Sequence, residues 1–88
     1  MHYLIIETFR DGKVREVYQR FEEKGRLMPE GVTFISSWIT QDVSTCYQVM
    51  ETDDARLLDQ WIAAWSDLVE FEVVPVVTSA QAAAMVRS

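Results

Sequence analysis

The hydrophobic pattern of the chain switches repeatedly between the two-residue period of a strand and the wider spacing of a helix. Residues 2–9 (HYLIIETF) form an apolar, β-branched run too short for an isolated helix, which predicts a strand. Asp11-Gly12 breaks the run, and Lys13 to Glu23 turns helical. There Val14, Val17, Tyr18 and Phe21 fall at i, i+3, i+4 and i+7 on one face, with Arg15, Glu16, Gln19, Arg20, Glu22 and Glu23 on the wet side. Gly25 and the Pro29-Glu30-Gly31 turn stop this helix, and Leu27 and Met28 are expected to tuck the connection against the core.

Residues 32–40 (VTFISSWIT) and 45–52 (TCYQVMET) predict two further strands, joined by the short polar stretch Gln41-Asp42-Val43 as a hairpin. Thr52 or Asp53 can then cap a helix whose inner face is Leu57, Leu58, Trp61, Ile62 and Trp65, ending at Ser66-Asp67. Val69 to Val77 reads as a fourth strand. Pro75 cannot donate a ladder hydrogen bond and so places this strand at an edge or at a bulge. Ser79 can cap a short alanine-rich helix over 80–87, with Ala82, Met85 and Val86 expected to face inward.

The order β-α-β-β-α-β plus a tail helix predicts an α+β, ferredoxin-like fold: a single domain, residues 1–88, with a four-stranded antiparallel sheet in the order 4-1-3-2. Pairing the two middle strands around Asp42 sets Trp38 across from Cys46, Ser36 from Gln48 and Phe34 from Met50. The opposite face carries Ile39–Thr45, Ser37–Tyr47 and Ile35–Val49, and the first strand sends His2, Leu4 and Ile6 one way and Tyr3, Ile5 and Phe9 the other. Neither face has the polar character of a solvated sheet surface. Helices cover only one face of such a sheet, so the other is expected to meet a second copy in a homodimer with sheets packed face to face. A polar Gln48–Ser36 pair is easier to place in a space between two sheets than under helices. His2, Phe34, Ser36, Trp38, Cys46, Gln48 and Met50 are therefore expected to line a dimer-side cavity.

Composition narrows the possibilities. About half the residues (49%) are hydrophobic and 11% aromatic, which excludes disorder for so short a chain. A formal net charge of −6 with scattered basic residues argues against nucleic acid as a partner. A single cysteine, Cys46, forbids an intramolecular disulfide. One histidine and one cysteine are too few for a zinc site, so no metal and no cofactor are expected. No signal peptide is visible and no apolar run approaches the roughly 20 residues that span a bilayer, so a cytoplasmic location away from the membrane is expected. Glycine-rich phosphate loops, G-x-S-x-G and H-E-x-x-H are all missing from the sequence.

Several side chains could carry chemistry. Glu7 and Glu51 end the first and third strands, taken as parallel neighbours, so two carboxylates at one height could form an acid–base pair or rim carboxylates. The simpler reading puts each just ahead of a helix, where the dipole favours an anion. His2 is the only side chain with a natural pKa near neutrality, yet it sits at a terminus prone to fraying. Cys46, inside an apolar strand without a basic neighbour, reads as an inert thiol. Trp61 and Trp65 read as core, the alternative being that one indole lines an opening. Trp38 is the strongest aromatic candidate for a ligand wall, with Ser36, Cys46, Gln48 and His2 completing the lining.

The opening HYLIIETF, the PEGVTFISSWIT strand and the METDDARLLDQWIAAWSDLVEFEVVPVVTSAQAA run resemble a family of short bacterial proteins, the domain of unknown function 3303 family. The most specific parts are Pro29-Glu30-Gly31, Glu51-Thr52-Asp53-Asp54, Phe71-Glu72-Val73 and Pro75-Val76, and the similarity covers nearly the whole chain. The resemblance implies a dimeric α+β barrel, and it carries no activity and no functional residues. Relatives in that wider superfamily include cofactor-independent oxygenases, isomerases, haem proteins and ligand-binding regulators, but folds do not fix functions. Three readings follow: a homodimeric small-molecule-binding module, a cofactor-independent oxygenase or isomerase acting on an apolar or aromatic metabolite, or a structural or partner-binding protein with a filled interior. In the enzyme reading Trp38 holds the substrate and Gln48 or His2 orients it or moves a proton.

Overall fold

A computed structural model describes residues 1–87. Its elements run β1 (His2–Phe9), α1 (Val14–Lys24), β2 (Val32–Ile39), β3 (Thr45–Thr52), α2 (Arg56–Ala63), β4 (Val69–Val76) and α3 (Ser79–Arg87). The strands form one sheet in the order β2-β3-β1-β4, so the architecture is the α+β, ferredoxin-like one expected from the pattern. Pro75 lies on β4, an edge strand, where its missing N–H can face outward.

Every neighbouring pair is antiparallel, including β1 and β3, which were expected to run parallel. The crossover through α1 returns β2 parallel to β1, and the hairpin then reverses direction, so β3 meets β1 head to tail. Glu7 consequently stands opposite Cys46, and Glu51 opposite His2 at the other end of the ladder. The two carboxylates are neither at one height nor on one face, and the acid–base pair does not exist.

The hairpin register also differs. Phe34 pairs with Met50 as expected, but a bulge at Ile35 shifts the rest of β2 by one: Ser36 faces Val49, Ser37 faces Gln48, Trp38 faces Tyr47 and Ile39 faces Cys46. The bulge turns Ser36 and Trp38 away from the helices and brings Ser37 and Ile39 toward them. The tip is tied by Asp42, whose carboxylate accepts from Thr40 Oγ1 (2.7 Å), Ser44 Oγ (2.7 Å) and the Ser44 amide (3.1 Å). These hydrogen bonds hold its pKa below the usual carboxylate value.

The core sits between the sheet and the two helices: Ile5, Met50 and Val69 from strands, Val17 from α1, Leu58 and Trp61 from α2, and Trp65 and Leu68 from the turns after it. Phe71 meets the Trp61 ring edge-on with centroids 5.4 Å apart. α1 is held chiefly by one side chain. Arg20 donates to both Asp67 carboxylate oxygens (2.8 and 2.7 Å) and to the Ala64 carbonyl (2.8 Å), with its guanidinium over the Trp65 ring.

α3 departs from expectation. Thr78, not Ser79, caps it through reciprocal bonds with Gln81 (3.1 and 2.9 Å), a capping box. Met85 and Val86 point into solvent at 65% and 85% exposure, and no residue of the helix is buried. Its alanines offer too little apolar area to hold it against the subunit.

Thr52 joins the Pro29–Gly31 turn to the start of α2. Its buried hydroxyl donates to the Gly31 carbonyl (2.9 Å) and accepts from the Asp54 amide (3.1 Å). The near-isosteric substitution Thr52→Val strands both backbone groups and is expected to cost about 1–3 kcal/mol in denaturant unfolding. An unchanged midpoint would show that neither bond contributes.

Candidate functional site

α1 covers the sheet incompletely. It buries only Val17, while Tyr18 and Phe21 remain 41% exposed. Beneath it lies a cavity of about 210 Å³, open to solvent past these rings. Its sheet side is Glu7 and Phe9 from β1, Cys46 and Gln48 from β3, and Ser37 and Ile39 from β2. α1 supplies Val17, Tyr18 and Phe21, α2 and its following turn supply Trp61 and Trp65, and the α1–β2 connection supplies Arg26.

Glu7 is the central polar group. Only 6% exposed, it accepts a hydrogen bond from Gln48 Nε2. Burial raises its pKa from 4.5 to about 7, against the opposing pull of the Gln48 and Cys46 hydrogen bonds and the Arg26 charge. Cys46 is likewise buried, and its thiol is pushed up to about 11, first by burial and further by the adjacent Glu7; its Sγ lies 3.4 Å from Ser37 Oγ. A thiol so placed stays protonated and is no nucleophile. Burial also raises the Tyr18 phenol.

Arg26 is positioned by its own backbone. Its carbonyl accepts hydrogen bonds from both Trp61 Nε1 and Trp65 Nε1, each 2.9 Å. The next residue, Leu27, is held at φ 58°, a left-handed conformation that costs a side-chain-bearing residue roughly 1–2 kcal/mol. The guanidinium packs over Phe34 (3.9 Å) and Phe21 (5.1 Å), and Nε reaches Gln48 Oε1 at a long 3.4 Å. Among the described residues no carboxylate lies within ion-pairing distance of it.

The structure thus divides the expected lining. Cys46 and Gln48 line a cavity, but on the helix side, where the Gln48 amide is satisfied by Glu7 and so carries no unpaired polar group. Ser36, Trp38 and His2 lie on the opposite face, Trp38 through the bulge and His2 with Leu4 and Ile6. Phe34 and Met50, expected on the dimer side, lie on the helix side. Glu51 sits away from Glu7, near the terminal amino group (3.9 Å). Of the expected pair only Glu7 belongs to the cavity. Arg26, Tyr18 and Ser37 were not anticipated, because nothing in the local sequence says that a lone arginine after Gly25 is clamped by two distant indoles.

Among the described residues no group of three His, Cys, Asp or Glu side chains gathers as metal ligands, and no helix is long and apolar enough to cross a membrane. Residues 1–88 match the family model described as Domain of unknown function (DUF3303), and the chain belongs to that family. No curated protein and no solved structure matches it.

The raised pKa of Glu7 makes the folded state bind more protons than the unfolded chain between pH 4.5 and about 7. Stability is therefore full below pH 4.5 as far as this group is concerned and falls as pH rises through that window, by about 3 kcal/mol at most. Glu7→Gln is expected to flatten this decline and to exceed the parent protein in stability at pH 8. Urea unfolding across pH 4–8 measures both, and parallel profiles would show that Glu7 is not perturbed.

Proposed function

We propose that the protein is a small-molecule-binding module acting as a homodimer in the cytoplasm, with one binding cavity per subunit on the helix side of the sheet. The observation that carries the reading is the cavity itself: aromatic walls around a small set of convergent polar groups, Glu7, Gln48 and Arg26, one of them strongly perturbed.

The dimer rests on the other face. Leu4, Ile6, Tyr47, Val49, Val74 and Val76 share it with Trp38, which is 72% exposed. The subunit is a two-layer slab 17 Å in its shortest dimension, with α1 and α2 on one side and, bare on the other, this face, apolar at its centre with Glu70 and Glu72 on its β4 edge. A second copy offers the same apolar surface, and packing the two sheets buries both at once, as in a dimeric α+β barrel. α3, whose Met85 and Val86 are exposed, is available to extend that contact.

One observation favours the alternative, a cofactor-independent isomerase or oxygenase. Glu7, with a pKa near 7, is poised for proton transfer inside an apolar cavity. The role of base then falls to Glu7, and Trp38 and His2 on the outer face take no part.

Native mass spectrometry on protein purified without added ligand tests the binding reading: a dimer carrying dissociable small-molecule mass is expected. A ligand recovered chemically altered after incubation would favour the enzyme. Light scattering tests the interface separately. Trp38→Glu is expected to yield a monomer with unchanged circular dichroism, and a parent protein already monomeric at micromolar concentration overturns the dimer.

A further inference from the structure

Granted that the helix-side cavity binds a small molecule, its lining narrows the kind. Its volume of about 210 Å³ is below that of pockets for drug-sized ligands. A cavity of about 150 Å³ already holds benzene, so there is room here for one ring and a small substituent. Tyr18, Trp61 and Trp65 supply aromatic surface for the ring.

The charge at the cavity stands apart from the other half-buried cations. Lys13 and Arg20 each have a carboxylate partner, and Arg15, Lys24 and Arg87, which make no such pair, are exposed. Arg26 has two rings and a long contact to an amide instead. Half-buried, with its backbone fixed by two indole N–H groups, it is a preorganised cation with no carboxylate in ion-pair contact among the described residues, Glu7 being the acid whose charge it feels. A planar guanidinium so held matches a carboxylate, which it can bind through two parallel N–H groups.

We propose that the cavity takes a single-ring aromatic monocarboxylate, its carboxylate on Arg26 and its ring against Trp61, Trp65 and Tyr18. Binding is coupled to a proton on Glu7. The groups that face Glu7 are Arg26 from the α1–β2 connection, Tyr18 from α1, and Cys46 and Gln48 from β3; α2 and β4 bring only the uncharged Trp61, Trp65 and Phe71. Arg26 is the one cation among them, and an ionised Glu7 would compete with the ligand for it. The protonated acid does not compete and offers a donor. Affinity should therefore be full near pH 6, where the ligand is still a carboxylate, and fall as Glu7 ionises.

The test is a tryptophan-fluorescence titration with phenylacetate and its neutral isostere phenylacetamide, at pH 6 and pH 8, on the parent protein, Arg26→Met and Arg26→Lys. Phenylacetate is expected to bind at least about tenfold more tightly than the amide at pH 6. Its affinity is expected to drop about tenfold at pH 8, with the amide unaffected. Arg26→Met should abolish the preference while still binding the amide, and Arg26→Lys should retain part of it, which separates lost charge from lost folding. Equal binding of the two ligands by the parent protein overturns the carboxylate assignment and leaves the binding reading standing. Failure of both to bind at millimolar concentration overturns this inference, while the binding reading stands or falls on the dissociable mass carried by the purified protein.

Discussion

Two indole N–H groups converge on one carbonyl oxygen, that of Arg26, and the helical layer depends on that meeting. Trp61 and Trp65 lie one turn apart on the α2 side, so both can reach a single acceptor on the connection that follows α1. The bonds satisfy two donors that burial would otherwise leave costly, and they fix where the chain turns from α1 toward β2. With the connection fixed and Arg20 fastened to Asp67 in the same half of α1, the helix reaches the buried core through Val17 alone. The cavity is the space left beneath Tyr18 and Phe21.

Inside that space the protein tolerates a carboxyl group that burial disfavours in its charged form. A leucine at position 7 would suit the surrounding Phe9, Trp61 and Trp65 better, and two hydrogen-bond partners, Gln48 and Cys46, are committed to keeping the acid in place. Groups that lower stability near neutral pH while sitting in an accessible cavity are characteristic of sites shaped for a ligand or a proton. The left-handed Leu27 beside Arg26 belongs to the same pattern: local strain is kept where a functional side chain is aimed.

Much of the fold was legible because it rests on period alone. The alternation in HYLIIETF and the edge signal of Pro75 each describe a local preference that the packing then honours, whereas the spacing of Val14, Val17, Tyr18 and Phe21 predicts the helix but only Val17 of that face is buried. The site was legible only in part. Gln48 and Cys46 were recognised as lining residues because polar groups in central strands need a reason, but the face they share was assigned wrongly. A bulge at Ile35 carries no composition signal, and without it Trp38 and Ser36 would indeed lie beside Cys46 and Gln48. Arg26 was invisible for a different reason: its position is set by residues that stand 35 and 39 places further along the chain. The outward turn of Met85 and Val86 reflects the same limit, since helical spacing names a stripe but not whether anything lies beneath it.

The bulge also has a consequence for how chains of this kind can diverge. Trp38 and Ser37 are neighbours in sequence that serve opposite surfaces, and which surface each serves is decided by one supernumerary residue in β2. Were Ile35 drawn into the ladder and the extra residue taken up in the hairpin loop instead, the assignment would reverse: the indole would turn in over Cys46 and Gln48 and occlude the cavity, while a hydroxyl would replace it at the centre of the outer sheet. Ligand capacity and self-association are thus linked through the place at which β2 absorbs its extra residue, and a change that moves the bulge from Ile35 into the hairpin would disturb both together.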